Sequence, residues 1–303
     1  MANGHWQENP IDSRVQHGWL EGGKRLHLQH GPIDLIIEAS GEALQIAMAY
    51  QQAYDSFQTV LTDLMSEIDY LRQPVAADSR VFTGQVAGRM AAATGHFGGL
   101  PCIMTPMIAV AGSVADHILQ SMLAGTKLTR AYVNNGGDIA LWLASDQTFT
   151  IGICDNTQTG NISSNITLQA CHGIGGIATS GWRGRSYSLG IADAVTVLAS
   201  CAADADAAAT LIANSVDVPG AANIHRTPAR ELSPDSDLGT IPVTVGVDQL
   251  DSLQIRTALD NGKLRAEQLL ATGHIEAVYL SVEKQTIVCD ALQQTQLAGA
   301  VHA

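Results

Sequence analysis

Apolar and polar residues alternate over Lys24–Ala39 and then turn continuously apolar beyond Gly31-Pro32, which predicts two strands in a hairpin. From Glu42 to Gln73 the chain lacks Gly and Pro and repeats apolar residues at three- and four-residue spacing, the pattern of one long amphipathic helix ended by Pro74. A second helix is expected over Ser79–Thr94, and loop with a short strand over Gly95–Pro106. Met107–Gly125 reads as a helix rich in small residues that starts in a turn near Gly112. Strands follow at Arg130–Asn134, Ile139–Ala144, Phe149–Cys154 and Ile162–Gln169, and Gly176–Ser200 mixes loop with strand. A helix is expected over Ala202–Val216 and a surface loop over Asp217–Gly239, where no apolar period holds. The strand Pro242–Val247, a helix over Gln249–Thr272 and a hairpin over His274–Ala291 complete the chain. Hairpins mixed with helices, without strict strand–helix alternation, indicate α+β with largely antiparallel sheet. The Ala-rich helices "AGSVADHILQSM" and "SCAADADAAATLIA" echo one another, each with an aspartate near its start, and leave an internal duplication open.

Composition supports this picture. The chain has 303 residues, 46% hydrophobic and 15% charged, enough for a large core and against disorder. A net charge of −13 argues against nucleic acid or an anionic membrane surface as partner. The five cysteines form no C-x-x-C pair, which suits reduced thiols. With no basic-then-apolar leader and no continuous apolar span of about 18 residues, a cytoplasmic location is the expectation.

Three groups of residues could carry chemistry. Asn135-Gly136-Gly137-Asp138 separates two apolar strands; it fits a plain hairpin turn, or a turn whose glycines let the backbone approach a phosphate or a flat ring. Asp206 and Thr210 share one helix face and offer oxygens to a hard cation such as Mg²⁺, although acids in a first helical turn also simply complement the helix dipole. Arg183 and Arg185, in the hydroxyl- and glycine-rich stretch Thr179–Ser188, join Arg226 and Arg230 as candidate anion binders. No Walker A loop, G-x-G-x-x-G or G-x-S-x-G motif occurs. His27 and His30 would point to opposite faces of a strand, and no other histidines have metal-ligand spacing.

In order, "VNNGGDI", "IATSG" and "ADADAAATLIA" resemble the G-G-D turn, the A-T-S-G loop and the A-D-A-x-x-T-A helix of the ApbE-like superfamily of flavin transferases. "HGPIDLII", "TPMIAVAGSVAD" and "GIATSGWRGRSYSLGIADAVTVLA" are similar to one branch of it, and the likeness runs from Gly22 to the end. The resemblance implies a duplicated, T-fold-like α+β architecture: one domain over residues 1–303, with 1–21 as an N-terminal extension. It implies FAD or FMN in a cleft, and Mg²⁺ near the pyrophosphate assisting FMN transfer to a threonine of a protein acceptor. By position, Asp206, Thr210 and the backbone carbonyl of Val110 correspond to metal ligands. Gly136, Gly137 and Asp138, beside Asn135, correspond to the flavin-side turn; Thr179, Ser180 and Gly181 to the A-T-S-G loop; and Asp116 to a cofactor-side aspartate. One departure stands out: the H-I-x-D-P-x-T-G segment that follows A-T-S-G in the transferases is missing, and Arg183 and Arg185 occupy that stretch. Three readings stay open: FMN transfer or FAD hydrolysis; a sulfide- or thiol-assimilation role on the same scaffold, with an anionic metabolite as ligand; and a non-catalytic nucleotide-binding module. Homo-oligomerisation is equally open.

Overall fold

A computed structural model of the protein describes residues 14–75, 81–98, 104–156 and 161–290. The strands are β1 (Gln16–Leu20), β2 (Arg25–His30), β3 (Ile33–Gly41), β4 (Leu128–Asn135), β5 (Asp138–Leu143), β6 (Thr148–Asn156), β7 (Asn161–Gln169), β8 (Gly176–Ser180), β9 (Ala194–Ala199), β10 (Ile224–Pro228), β11 (Pro242–Val247), β12 (Ile275–Val282) and β13 (Gln285–Asp290). The helices are α1 (Ala43–Ser66), α2 (Ile68–Leu71), α3 (Gln85–Gly95), α4 (Val110–Leu123), α5 (Ala202–Ser215), α6 (Ala229–Leu232) and α7 (Ser252–Leu270). Nine strands form one sheet in the order β1-β2-β3-β4-β5-β8-β9-β12-β13. Every neighbouring pair in it is antiparallel. The α+β architecture is therefore as expected, and, apart from the edge strand β1, each half of the sheet runs two strands, helices, two strands.

Helices cover one face of the sheet. Strict alternation in β3 sends Ile33, Leu35, Ile37 and Ala39 to that face, where they meet Phe57, Val60 and Leu64 of α1. Burying each such large side chain contributes about 1.5–3 kcal/mol. The opposite face is covered at its centre by the β6–β7 hairpin, which packs Phe149, Ile151 and Leu168 on Leu141, Ile177 and Leu198. No helix among the described residues is long and apolar enough to cross a membrane.

Four segments differ from the sequence expectation. The long helix breaks at Glu67, whose backbone leaves helical geometry (φ −116°, ψ 7°). Its carboxylate accepts from the N–H groups of Thr83 and Gly84 and so holds the entry to α3. That helix starts at Gln85; positions 79–80, where it was expected to begin, and 99–103 of the expected Gly95–Pro106 loop and strand lie outside the described residues. Residues 16–20 of the expected extension form an edge strand. Asp217–Gly239 is not all loop: β10 pairs with β11, and Arg226 is tied to Asp217 and to the carbonyl of Leu189.

At the centre, α4 and α5 cross with their first turns in contact. A Cβ on Gly112 would stand 2.2 Å from the carbonyl oxygen of Ala202, so only glycine fits there. The two helices exchange caps. The Asp116 carboxylate of α4 accepts from the N–H of Ala202 (3.0 Å) and Ala203 (2.9 Å), the first residues of α5. The Asp206 carboxylate of α5 accepts from the N–H of Gly112 in α4 (2.9 Å). Each carboxylate thus satisfies N–H groups that a helix start leaves unpaired, and faces the positive end of the other helix dipole. Burial still raises the Asp116 carboxyl above its usual range, against the pull of the Ala203 and Ala202 N–H groups. The alanines of α5 make the crossing close: Ala202, Ala203, Ala205 and Ala207–Ala209 are all buried. Gly112→Ala should cost about 1–3 kcal/mol through overpacking. Asp116→Ala should cost a similar ~1–3 kcal/mol by stranding buried N–H groups. Because both act on one seam, urea denaturation of the double variant should show less than the sum of the two losses.

Candidate functional site

The site forms where the two halves of the sheet meet. Strands β5 and β8 pair at Ile139↔Ile177 and Ala140↔Gly176, and the Leu141 N–H donates to the Gly175 carbonyl next to them. Asp138 stands at this edge, where the backbone N–H of Thr179 favours the charged form of its carboxyl. The β4–β5 turn sits at the same edge. Asn135 pairs with Asp138 across Gly136 and Gly137, whose φ angles of 68° and 117° suit glycine, and the Asn134 side chain accepts from the Gly137 N–H at 2.9 Å. Asn135 donates to the carbonyl of Ala111, fixing the turn against the start of α4.

A cleft of about 390 Å³ opens between this edge and the helices, within the size range of small-molecule sites. One wall is apolar: Leu61, Met65 and Ile68 from α1 and α2, with Met107 and Val110 ahead of and in α4. The other is polar: Asn135, Gly136, Asp138, Thr179, Ser180, Gly181, Asp206 and Thr210. Arg72 and Arg185, both exposed, stand at the mouth, and Arg185 reaches over Gly136.

The acids on the polar wall carry the strongest electrostatics. Burial pushes the Asp138 carboxyl up to about 7. Asp206 is raised well above the ordinary carboxylate range, first by burial and then by the negative charge of Asp138, while the N–H groups of Gly112 and Ala111 oppose the shift. Two desolvated carboxylates that disfavour each other's charge, with the Thr210 hydroxyl one turn along α5, make a set of hard oxygen donors. That set fits a divalent cation such as Mg²⁺ better than a soft one.

The structure brings ten of the thirteen predicted site residues to this cleft and leaves three out. Asp116 lies at the α4–α5 seam. Gly137 faces a second, smaller hollow of about 200 Å³ beneath the β6–β7 hairpin. Arg183 is paired with Asp193 at 3.0 Å and stacks over Trp182. Sequence reasoning missed Arg72 and the apolar wall, because nothing in an ordinary amphipathic helix marks the residues that line a cleft. Among the cysteines, Cys171 is exposed, Cys289 buried, and the Cys201 thiol is pushed up to about 12 by burial and by the charges of Asp116 and Asp204. Such a thiol is a poor nucleophile at neutral pH. Cys102 and the side chain of Cys154 lie outside the described residues.

A carboxyl raised by folding keeps its proton in the folded state after the unfolded chain has lost it. For Asp138 the folded value is about 7 and the ordinary one 3.8, so its contribution to stability is full below about pH 4 and is lost as pH rises towards 7. Asp138→Asn should flatten the fall of the urea midpoint between about pH 4 and 7, and added Mg²⁺ should flatten it in the wild type.

Comparison with known proteins agrees with this architecture. The family model described as "AbpE bacteria" matches residues 17–292. The chain is 39% identical over 112 residues to a UPF0280 protein of Methanococcus vannielii, covering 36% of this chain and 44% of that one. It is 37% identical over 123 residues to a UPF0280 protein of Archaeoglobus fulgidus, covering 40% and 48%. The matched stretch therefore spans just under half the length of these relatives. Among solved structures, the ApbE protein of Thermotoga maritima covers 92% of this chain and 98% of its own at a TM-score of 0.50 and 12% identity, a likeness of fold. With the family model running over nearly its whole length, the chain belongs to the "AbpE bacteria" family, within the ApbE-like superfamily.

Proposed function

We propose that the cleft binds a flavin nucleotide, FAD or FMN, together with a divalent cation such as Mg²⁺, and that the protein moves FMN from FAD to a protein hydroxyl or to water. The observation that carries this reading is the two-sided cleft. Apolar side chains of α1 and α2 and a polar set of backbone, hydroxyls and acids line the same cleft, with exposed arginines beside them. A ligand with a planar ring system and a phosphate chain matches both sides. Asp206, Thr210 and the Val110 carbonyl would hold the cation, which when bound supplies neutralisation of phosphate charge. Gly136 gives the ligand close access to backbone, and Arg185 offers charge-assisted donors to a phosphate. The reaction forms a bond from the acceptor oxygen to the flavin-side phosphorus and breaks the bond to AMP, with the acceptor proton released.

The anionic-metabolite reading finds less support. Arg183 and Arg226 are committed to Asp193 and Asp217, leaving Arg185 alone of the three at the cleft.

Calorimetry with FAD, with and without Mg²⁺, tests the proposal. Asp206→Ala is a poor variant because it also uncaps α4. Thr210→Val keeps the seam and should weaken the Mg²⁺ dependence by roughly tenfold. Arg185→Ala should weaken FAD binding by roughly tenfold or more. Absence of FAD, FMN and adenine-nucleotide binding under both conditions would sink the reading. Binding without turnover of FAD would reduce it to a nucleotide-binding module.

A further inference from the structure

A second group of metal-ligand side chains lies on the other side of α5 from the cleft. Asp204, in the first turn of α5, is buried, and its Oδ1 lies 3.0 Å from Nδ1 of His96 at the end of α3. His274, in the link between α7 and β12, stacks on His96 with ring centroids 3.9 Å apart and planes within 5°. One ligand atom from each of the three lies within 4.8 Å of the others, and no other such trio occurs among the described residues. Nothing in the sequence spacing marks the group, since 108 residues separate His96 from Asp204.

We propose that His96, Asp204 and His274 form a binding site for a zinc-class transition-metal dication, separate from the all-oxygen set in the cleft. Two imidazoles and a carboxylate are a recurrent zinc donor set, with a fourth position left to water. Bonds of about 2.0–2.1 Å place tetrahedral donors roughly 3.3–3.5 Å apart. The Asp204–His96 pair is already closer than that, and His274 would converge on the same ion by turning out of its stack on His96. A hydrogen bond to a buried carboxylate accounts for His96 alone. It does not account for a second imidazole presented beside the same carboxylate from another segment of chain. The carboxylate is buried at 5% exposure while His96 is exposed, so an ion reaches the site from solvent and finds a fixed anionic anchor. The donor chemistry also sets selectivity: imidazole nitrogens favour zinc and cobalt over Mg²⁺. A bound ion would clamp the end of α3, the start of α5 and the α7–β12 link together.

Calorimetric titration of the full chain with Zn²⁺, in excess Mg²⁺, should show one equivalent bound. His96→Gln and His274→Gln should each weaken that binding at least tenfold, while Thr210→Val in the cleft should leave it unchanged. Melting temperatures of the metal-free variants establish that they fold. The wild type gives a measurement independent of any variant: X-ray absorption of the zinc-loaded protein should show two imidazole ligands. An all-oxygen shell, no Zn²⁺ binding at micromolar concentration, or wild-type affinity in both histidine variants would overturn the proposal.

Discussion

Two carboxylates that cap each other's helices hold the middle of this molecule together. Asp116 of α4 serves the start of α5, and Asp206 of α5 serves the start of α4. A helix start with unpaired N–H groups cannot be buried without such partners. Both starts are buried here because each helix supplies what the other lacks. The arrangement demands Gly112 at the crossing and alanine along α5, and it accounts for a composition heavy in small residues. It also places Asp206 at the floor of the cleft, so a residue of the proposed site is part of the scaffold as well.

The sheet obeys the same geometry. With α4 and α5 packed against it from one side, β5 and β8 join the two halves of the sheet over a short pairing. The cleft opens between this edge and the helices, with Asp138 and Thr179 in its lining. A turn, a short strand pair and two helix starts converge on one small volume. Each brings backbone N–H groups or buried oxygens, and the raised Asp138 and Asp206 carboxyls are the electrostatic result.

Much of this was legible from residue order. Alternation marked the β2–β3 hairpin, because one face of each of its strands is buried and the other is not, and the Asn-Gly-Gly-Asp turn marked the β4–β5 hairpin. Gly136 of the turn and the Asp206–Thr210 spacing pointed to residues that do share a cleft. What stayed illegible depends on contacts between distant segments. Glu67 breaks the long helix to hold the entry to α3, which no propensity encodes. Arg183 and Arg185 look equivalent in sequence, yet Asp193 claims the first and leaves the second at the cleft mouth. The echo between the α4 and α5 sequences was visible as repetition, and its meaning as reciprocal capping emerges only when the two helices touch.

The crossed caps join the halves in addition to their sheet contact. Cut between β5 and β8, the chain would yield two fragments, each with a helix start stripped of its carboxylate and an aspartate stripped of its helix. One fragment would carry the strands β1–β5 and the other β8, β9, β12 and β13. The reciprocal caps therefore tie the two helix starts to one another: whatever removes one helix leaves the other with unanswered N–H groups.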